Sequence, residues 1–504
     1  MEPERLSRLV ADSLDGETRR TFEQRVREQA AGLREEVESG AFDSPGFAVG
    51  LELEVYAAEA GRPVTPPDAV FGVASKELGV HNAELNTDPD PLDADGLAAQ
   101  AEEIARDLAA VRERAGDSEV ALDAMWAVPP TEGTRTYLGA ERTVGEVSAP
   151  ERMRPDPRYL AIDAHIREAV GGTLPLSVPG VETTFPSILY ESLTTSIQPH
   201  LQIPDAQRFP AYYNAAVRTL GPVLALSTNS PFLPPDLYDE GVDPQKLVDR
   251  TPHELRIEVF EQSVNHTETP KVRVPRDLES ATDVADRVVA DDLIAPFLRE
   301  WLADGERSGL ADRLWEFDHK RSTYWRWLRC VAGGQPVGGG DERSLRIEYR
   351  PIPTQPTVTD VVGMQALVAG LVRGLVAAGH PVTELPWAAA RESFYNAVAD
   401  GVFADLHWVS VTGERTTDPD LIFDEVFAHA RRGLREAGLS EADIESYVGP
   451  IEARRNTATT PSVWKKRAVR ERLSDGADLR EAVVGAQREY LRLSRETDSF
   501  AEWL

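Results

Sequence analysis

A chain of 504 residues can bury a large core, arranged as several domains or as one elaborated catalytic domain. Its 85 acidic and 54 basic residues leave a formal charge of -31, spread along the whole sequence, which repels nucleic acid and anionic membrane. Only six lysines occur, at 76, 246, 271, 320, 465 and 466, so arginine supplies nearly all the positive charge, a pattern suited to a salt-rich cytosol where self-repulsion is screened.

The single cysteine, Cys330, allows no intramolecular disulfide and fits a reducing, cytoplasmic compartment. Residues 1–45 predict an amphipathic helical extension: Leu6, Leu9, Val10 and Leu14, then Phe22, Val26 and Leu33, fall at helical spacing on either side of Asp15-Gly16. No apolar core of signal-peptide type is present there, and no later run is read as membrane-spanning.

After the breaker Asp43-Ser44-Pro45-Gly46, the run Phe47 to Ala57 alternates Val49, Leu51, Leu53 and Val55 with Gly50, Glu52, Glu54 and Tyr56, predicting a strand with both glutamates on one face. Burying that face is costly unless it meets a cation. Mg²⁺ suits it, because Mg²⁺ prefers carboxylate oxygens and keeps positions for water and phosphate. A solvated strand face is the competing reading for the pair alone. Gly79 to Thr87 predicts a second strand that adds Glu84 and Asn86, and Asp95 to Ala115 a helix. A short strand over Val120 to Val128 follows.

Leu193 to Ile203 reads as a strand with Gln198, His200 and Gln202 on one face, followed by a helix over Ala206 to Leu220 and an apolar turn over Gly221 to Pro235. Trp325 to Arg350 predicts a strand pair joined by a glycine-rich connection, Gly333 to Gly340. That connection lacks the Lys-Ser/Thr and the helix of a phosphate loop. On the second of these strands Arg346, Glu348 and Arg350 alternate with Leu345, Ile347 and Tyr349, and a carboxylate between guanidinium groups suits a metal–nucleotide site. On the first, Arg329 shares a face with Trp325 and Trp327, while Cys330 points into the core. Arg256 and Arg391 are further candidates, and the remainder reads as mostly helical.

In their order these segments resemble the glutamate–cysteine ligase family, type 2 carboxylate–amine ligase branch. Gly50-Leu51-Glu52-Leu53-Glu54 looks like the family's Gly-x-Glu-x-Glu strand and Glu84 its next acidic strand. Gln198-Pro199-His200 stands where His-x-His is usual, and Leu224 to Phe232 is close to Leu-x-Leu-Ser-x-x-Ser-Pro-Phe. Ile347-Glu348-Tyr349-Arg350 is similar to Ile-Glu-x-Arg, and Arg391-Glu392-Ser393 to Arg-Glu-Asn.

The resemblance implies an α+β fold like glutamine synthetase and the guanidino kinases, a curved antiparallel sheet funnel backed by helices. The catalytic domain would span 46–404 and a helical C-terminal region 405–504. It implies ATP-driven joining of the γ-carboxylate of glutamate to cysteine or another small amine. Glu52, Glu54, Glu84, His200 and Glu348 would hold Mg²⁺, Arg350, Arg329 and Arg256 would act on phosphoryl oxygens, and Arg391 and Gln198 would contact the nucleotide or metal. A regulatory Mg-nucleotide-binding paralogue and a guanidino-kinase-like phosphotransferase are the alternatives. Neither the acceptor amine nor the oligomeric state follows from the residues.

Overall fold

A computed structural model describes residues 2–302 and 308–504. Its centre is β1, Ala48–Glu59, whose β-branched and leucine residues alternate with the polar ones as the sequence predicts. The remaining principal strands are β2 (Ser75–Lys76), β3 (Asn82–Asn86), β4 (Ile197–Ile203), β5 (Leu328–Ala332) and β6 (Leu345–Tyr349). They form a curled antiparallel half-barrel in the order β5-β6-β4-β1-β3-β2, with three short strands, Arg62–Pro63, Asp90–Pro91 and Glu119–Ala121, also paired to β1. Of the strand expected over Val120 to Val128, the start pairs with β1 and Met125 makes an isolated antiparallel bridge to Thr194; between them Asp123 turns inward to meet Lys465.

Helices cover the back of the sheet. Val358–Ala377 is apolar around its whole circumference, and Gln365 Nε2 fastens it to β1 by donating to Gly50 O at 3.1 Å. This helix corrects one expectation. Its most apolar window, of mean hydropathy 1.5, is long enough to cross a membrane, although 83% of that window is buried within the fold. Its partner is helix Pro419–Glu436, and the two backbones nearly touch: a Cβ on Gly433 would lie 1.9 Å from Gly370 O, and one on Gly374 2.0 Å from His429 O. Glycine is required at such a crossing by contact, not by torsion.

A second correction concerns Gly221 to Pro235. The helix Phe209–Ser227 runs through Gly221 and Pro222 before ending at Thr228. Pro222 cannot donate to the helix, but the segment is buried on every side, and Gly221 is pressed against Ser393 so that a Cβ would lie 2.9 Å from its carbonyl carbon. Packing outweighs the local breaker.

The two N-terminal helices, Pro3–Leu14 and Gly16–Glu38, separate at Asp15, whose carboxylate caps the second by accepting from Glu17 N and Thr18 N. The C-terminal helices are tied to the rest of the core by buried ion pairs. Arg454 donates to Asp360 at 2.8 Å with both side chains fully buried, and Lys465 pairs with Asp123. Four of the six lysines (Lys271, Lys320, Lys465 and Lys466) are thus buried, leaving Lys76 and Lys246 at the surface.

Candidate active site

Alternation along the strands and the register between them gather the polar residues on the concave face. Glu52 stands opposite Gln198 on β4 and Asn86 on β3, and Glu54 opposite Glu84. His200 stands opposite Glu348, which stands opposite Arg329. Directly opposed residues have Cβ atoms about 5 Å apart, so seven candidates (Glu52, Glu54, Glu84, Gln198, His200, Arg329 and Glu348) from five strands share one surface.

The contacts divide this surface into two parts. On one side Glu348, fully buried, lies between two guanidinium groups: Arg329 grips it with Nε at 2.9 Å and Nη2 at 2.8 Å, and Arg350 Nη1 donates to both Glu348 and Gln198. On the other, Glu54 accepts from Ser196 N at 2.6 Å, Ser196 Oγ at 3.0 Å and Gln198 Nε2 at 3.1 Å. His200 Nε2 lies 3.1 Å from Glu52 Oε1, and Asn86 Nδ2 donates to Glu84 at 2.9 Å.

A cavity of about 220 Å³ opens over these groups. One wall carries Glu52, Glu54, Glu77, Glu84 and Glu191, another Arg158, Arg329 and Arg350, and Phe260, Val264 and Trp325 supply an apolar side. A smaller cavity of about 170 Å³ lies beyond Glu52, between Gly50, Thr87, His200 and Arg346. Glu52 lines both.

Glu77, Glu191 and Arg158 escaped the sequence reading. Glu77 follows a two-residue strand, and Glu191 sits in the 3-10 turn Ile188–Leu193, so neither carries a periodic signal. Arg256 lies behind the surface, donating to Pro351 O at 3.3 Å and Arg350 O at 3.2 Å, where it holds the backbone beneath Arg350. Arg391 lies outside both cavities, exposed on helix Trp387–Asp400 with its guanidinium 4.7 Å above the Tyr395 ring. Cys330 is buried in the core, and burial pushes its thiol up.

Electrostatics set the two parts against each other. Burial alone would raise the Glu348 carboxyl, but Arg329, Arg350 and His200 outweigh it and hold Glu348 well below the usual range. The acidic wall does the reverse. Burial, then Glu54, pushes Glu77 and Glu191 up to about 8. Glu84 is raised by burial and by Glu77, Glu52 and Glu54, and burial raises Glu54 despite the opposing effect of Arg256.

Carboxyls that raise one another are short of positive charge, and a donor set of carboxylate oxygens with one imidazole nitrogen suits a hard divalent cation. Among the described residues no three His, Cys, Asp or Glu side chains are already grouped closely enough to hold a metal. Glu52, Glu54, Glu84 and Glu348 each engage a neighbouring donor instead.

The sequence profile of glutamate-cysteine ligase family 2 (GCS2) matches residues 35–492. No curated protein sequence is significantly similar to the chain. Among solved structures, a glutamate–cysteine ligase from Francisella tularensis in complex with AMP shares the fold with a TM-score of 0.52 and 14% identity, over 91% of this chain and 90% of that one. A bifunctional glutathione synthetase from Pasteurella multocida, of which this chain covers 53%, gives a TM-score of 0.47 at 14% identity over 89% of this chain.

Proposed function

We propose a function from an established premise: the chain belongs to glutamate–cysteine ligase family 2. It works as an ATP- and Mg²⁺-dependent carboxylate–amine ligase of the cytoplasm, with a sheet funnel of the glutamine synthetase and guanidino kinase kind. It joins the γ-carboxylate of glutamate to the amine of cysteine or another small amine through an acyl phosphate. One observation carries the reading: a cavity in which a cation-poor bank of carboxyls faces two fixed guanidinium groups, Arg329 and Arg350.

Glu52, Glu54, Glu84, His200 and Glu348, with Glu77 added, are the residues that would hold Mg²⁺, which when bound neutralises nucleotide phosphate charge. Arg329 and Arg350 are held in place by Glu348, so their remaining donors are aimed before substrate arrives. They stabilise the oxygens of the transferred phosphoryl group and of the acyl phosphate, while Arg256 positions Arg350 through its carbonyl. The smaller cavity receives the nucleotide and the larger one the two amino-acid substrates. The walls of the larger cavity exclude bulk water, which would hydrolyse the acyl phosphate.

The deciding measurement is ADP and phosphate release in molar KCl with product masses recorded. Release must require glutamate, an amine and Mg²⁺ together, and the product must be a γ-glutamyl amide. A phosphorylated acceptor without an amide, or no turnover with any amine, overturns the reading.

A further inference from the structure

A separate cavity of about 490 Å³ lies on the flank of the fold. Its outer wall is helix Gly16–Glu38, through Arg19, Glu23 and Arg27, residues that precede the stretch matched by the family. At its base is Lys320, a residue only 3% exposed, whose ammonium donates to one acceptor among the described residues, Val289 O at 2.8 Å. Burial lowers that ammonium only to about 8, so it stays charged at neutral pH. The neighbouring Asp291 cannot serve it fully, being paired with Lys271 and Arg326.

Two further groups in this cavity have no side-chain partner among the described residues: Nδ1 of His165 is buried with no hydrogen bond, and Arg19 on the facing helix makes no side-chain ion pair. Both face the same space: burial first, and then the charges of Arg19 and Lys271, push the His165 imidazole down to about 4. Against these stand the carboxylates Glu23 and Glu268 at the rim, also without side-chain partners among the described residues. A buried cationic base and an acidic rim suit a molecule with a carboxylate at one end and an ammonium at the other.

Three segments line this cavity and the catalytic one alike. Helix Pro157–Val170 places Arg158 and Ile162 in the catalytic cavity and His165 in the other. Phe260 and Val264 line the first, and His266, just beyond their helix, lines the second. Lys320 precedes Arg321, whose carbonyl accepts from Arg329 Nη1 at 3.2 Å, and Ser322, whose carbonyl accepts from Arg158 Nη2 at 3.0 Å. A ligand that draws on Lys320 and His165 therefore pulls on backbone that orients two arginines of the catalytic cavity.

We infer that the flank cavity is an effector site for a zwitterionic amino acid. Its carboxylate sits on Lys320, His165 and Arg19, its ammonium on Glu23 and Glu268, and it acts on the catalytic cavity through the helices they share. The inference extends the ligase reading, but binding can be tested without it.

Equilibrium dialysis in molar KCl without nucleotide, using each of the twenty protein amino acids, compares the native chain with Lys320→Met, Arg19→Gln and Glu52→Gln. At least one amino acid should bind to the native chain and to Glu52→Gln, and bind at least fivefold more weakly to Lys320→Met and Arg19→Gln. Its N-acetyl derivative should bind poorly. Arg19 is on the surface, so its variant remains informative if Lys320→Met does not fold.

If no amino acid shows that pattern, the site is refuted. Equal binding of the N-acetyl derivative or of inorganic phosphate reduces it to a simple anion site and overturns the zwitterion assignment. Saturation at this site should also shift the affinity of the catalytic cavity for Mg-ATP, by about fivefold or more, and the shift should vanish in Arg19→Gln. Binding without that shift overturns the coupling.

Discussion

Replacing Glu348 by glutamine keeps the shape of the side chain and removes the charge that two guanidinium groups share. Glu348 is fully buried, and the side chains of Arg329 and Arg350 are 11% and 12% exposed, so neither can turn to water without leaving the sheet. Removing one member of such a buried cluster costs about 3–5 kcal/mol, of which the amide oxygen recovers about 1 kcal/mol as an acceptor. A net loss of about 2–4 kcal/mol is expected, a large share of the roughly 5–15 kcal/mol that holds a domain folded. Glu52→Gln is the control, because Glu52 is 28% exposed and its one side-chain hydrogen bond among the described residues is with His200, so its loss should stay below about 1 kcal/mol.

Urea unfolding in molar KCl at fixed pH reads the difference. The double variant Glu348→Gln with Arg329→Gln should recover part of the loss, since one orphaned charge goes with it. The acid limb follows the same logic. A carboxyl whose folded pKa is depressed contributes stability above its unfolded pKa of about 4.3, and that contribution is lost as pH falls toward the folded value. Equal midpoints for Glu348→Gln and Glu52→Gln would refute the argument. Reduced turnover in Glu348→Gln therefore speaks for a metal role only when measured on protein shown to be folded.

The acidic wall has the opposite sign. With Glu77 and Glu191 near 8, the folded state holds protons that the unfolded chain has released, so stability falls as pH rises from about 4.3 to about 8. Mg²⁺ binding near pH 7 should release protons, read by calorimetry in two buffers of different ionisation enthalpy; no buffer dependence would contradict it. Gly433→Ala should lower stability by about 1–3 kcal/mol or more, because the methyl group meets Gly370 O, and an unchanged melting temperature would rule out the close crossing. Alkylation of Cys330 should track global unfolding, and rapid labelling of the native chain would contradict its burial. Raising KCl from dilute to molar should raise the unfolding midpoint by screening a charge of -31.

Strand residues were legible because alternation fixes which side chains share a face. Glu52 with Glu54, Gln198 with His200, and Glu348 with Arg350 were each paired correctly before any fold was known, and register then brought the pairs together. What escaped lies where no period exists. Glu77 and Glu191 come from a strand end and a 3-10 turn, and only the closing of the half-barrel sets them beside Glu54. Arg391 failed to join for a related reason: a short motif locates a residue in sequence, but its helix turns the side chain outward onto Tyr395. The continuation of helix Phe209–Ser227 past Pro222 was hidden because a proline reads as a stop unless the packing around it is known.

The burial of four lysines out of six has a practical side. Reagents that attack primary amines find Lys76 and Lys246 as the only exposed lysine side chains, so a native preparation should label sparsely and at defined points. The same scarcity confines lysine coupling to two points: Lys246, on helix Pro244–Arg250, lines neither cavity of the sheet, whereas Lys76 sits next to Glu77 of the acidic wall.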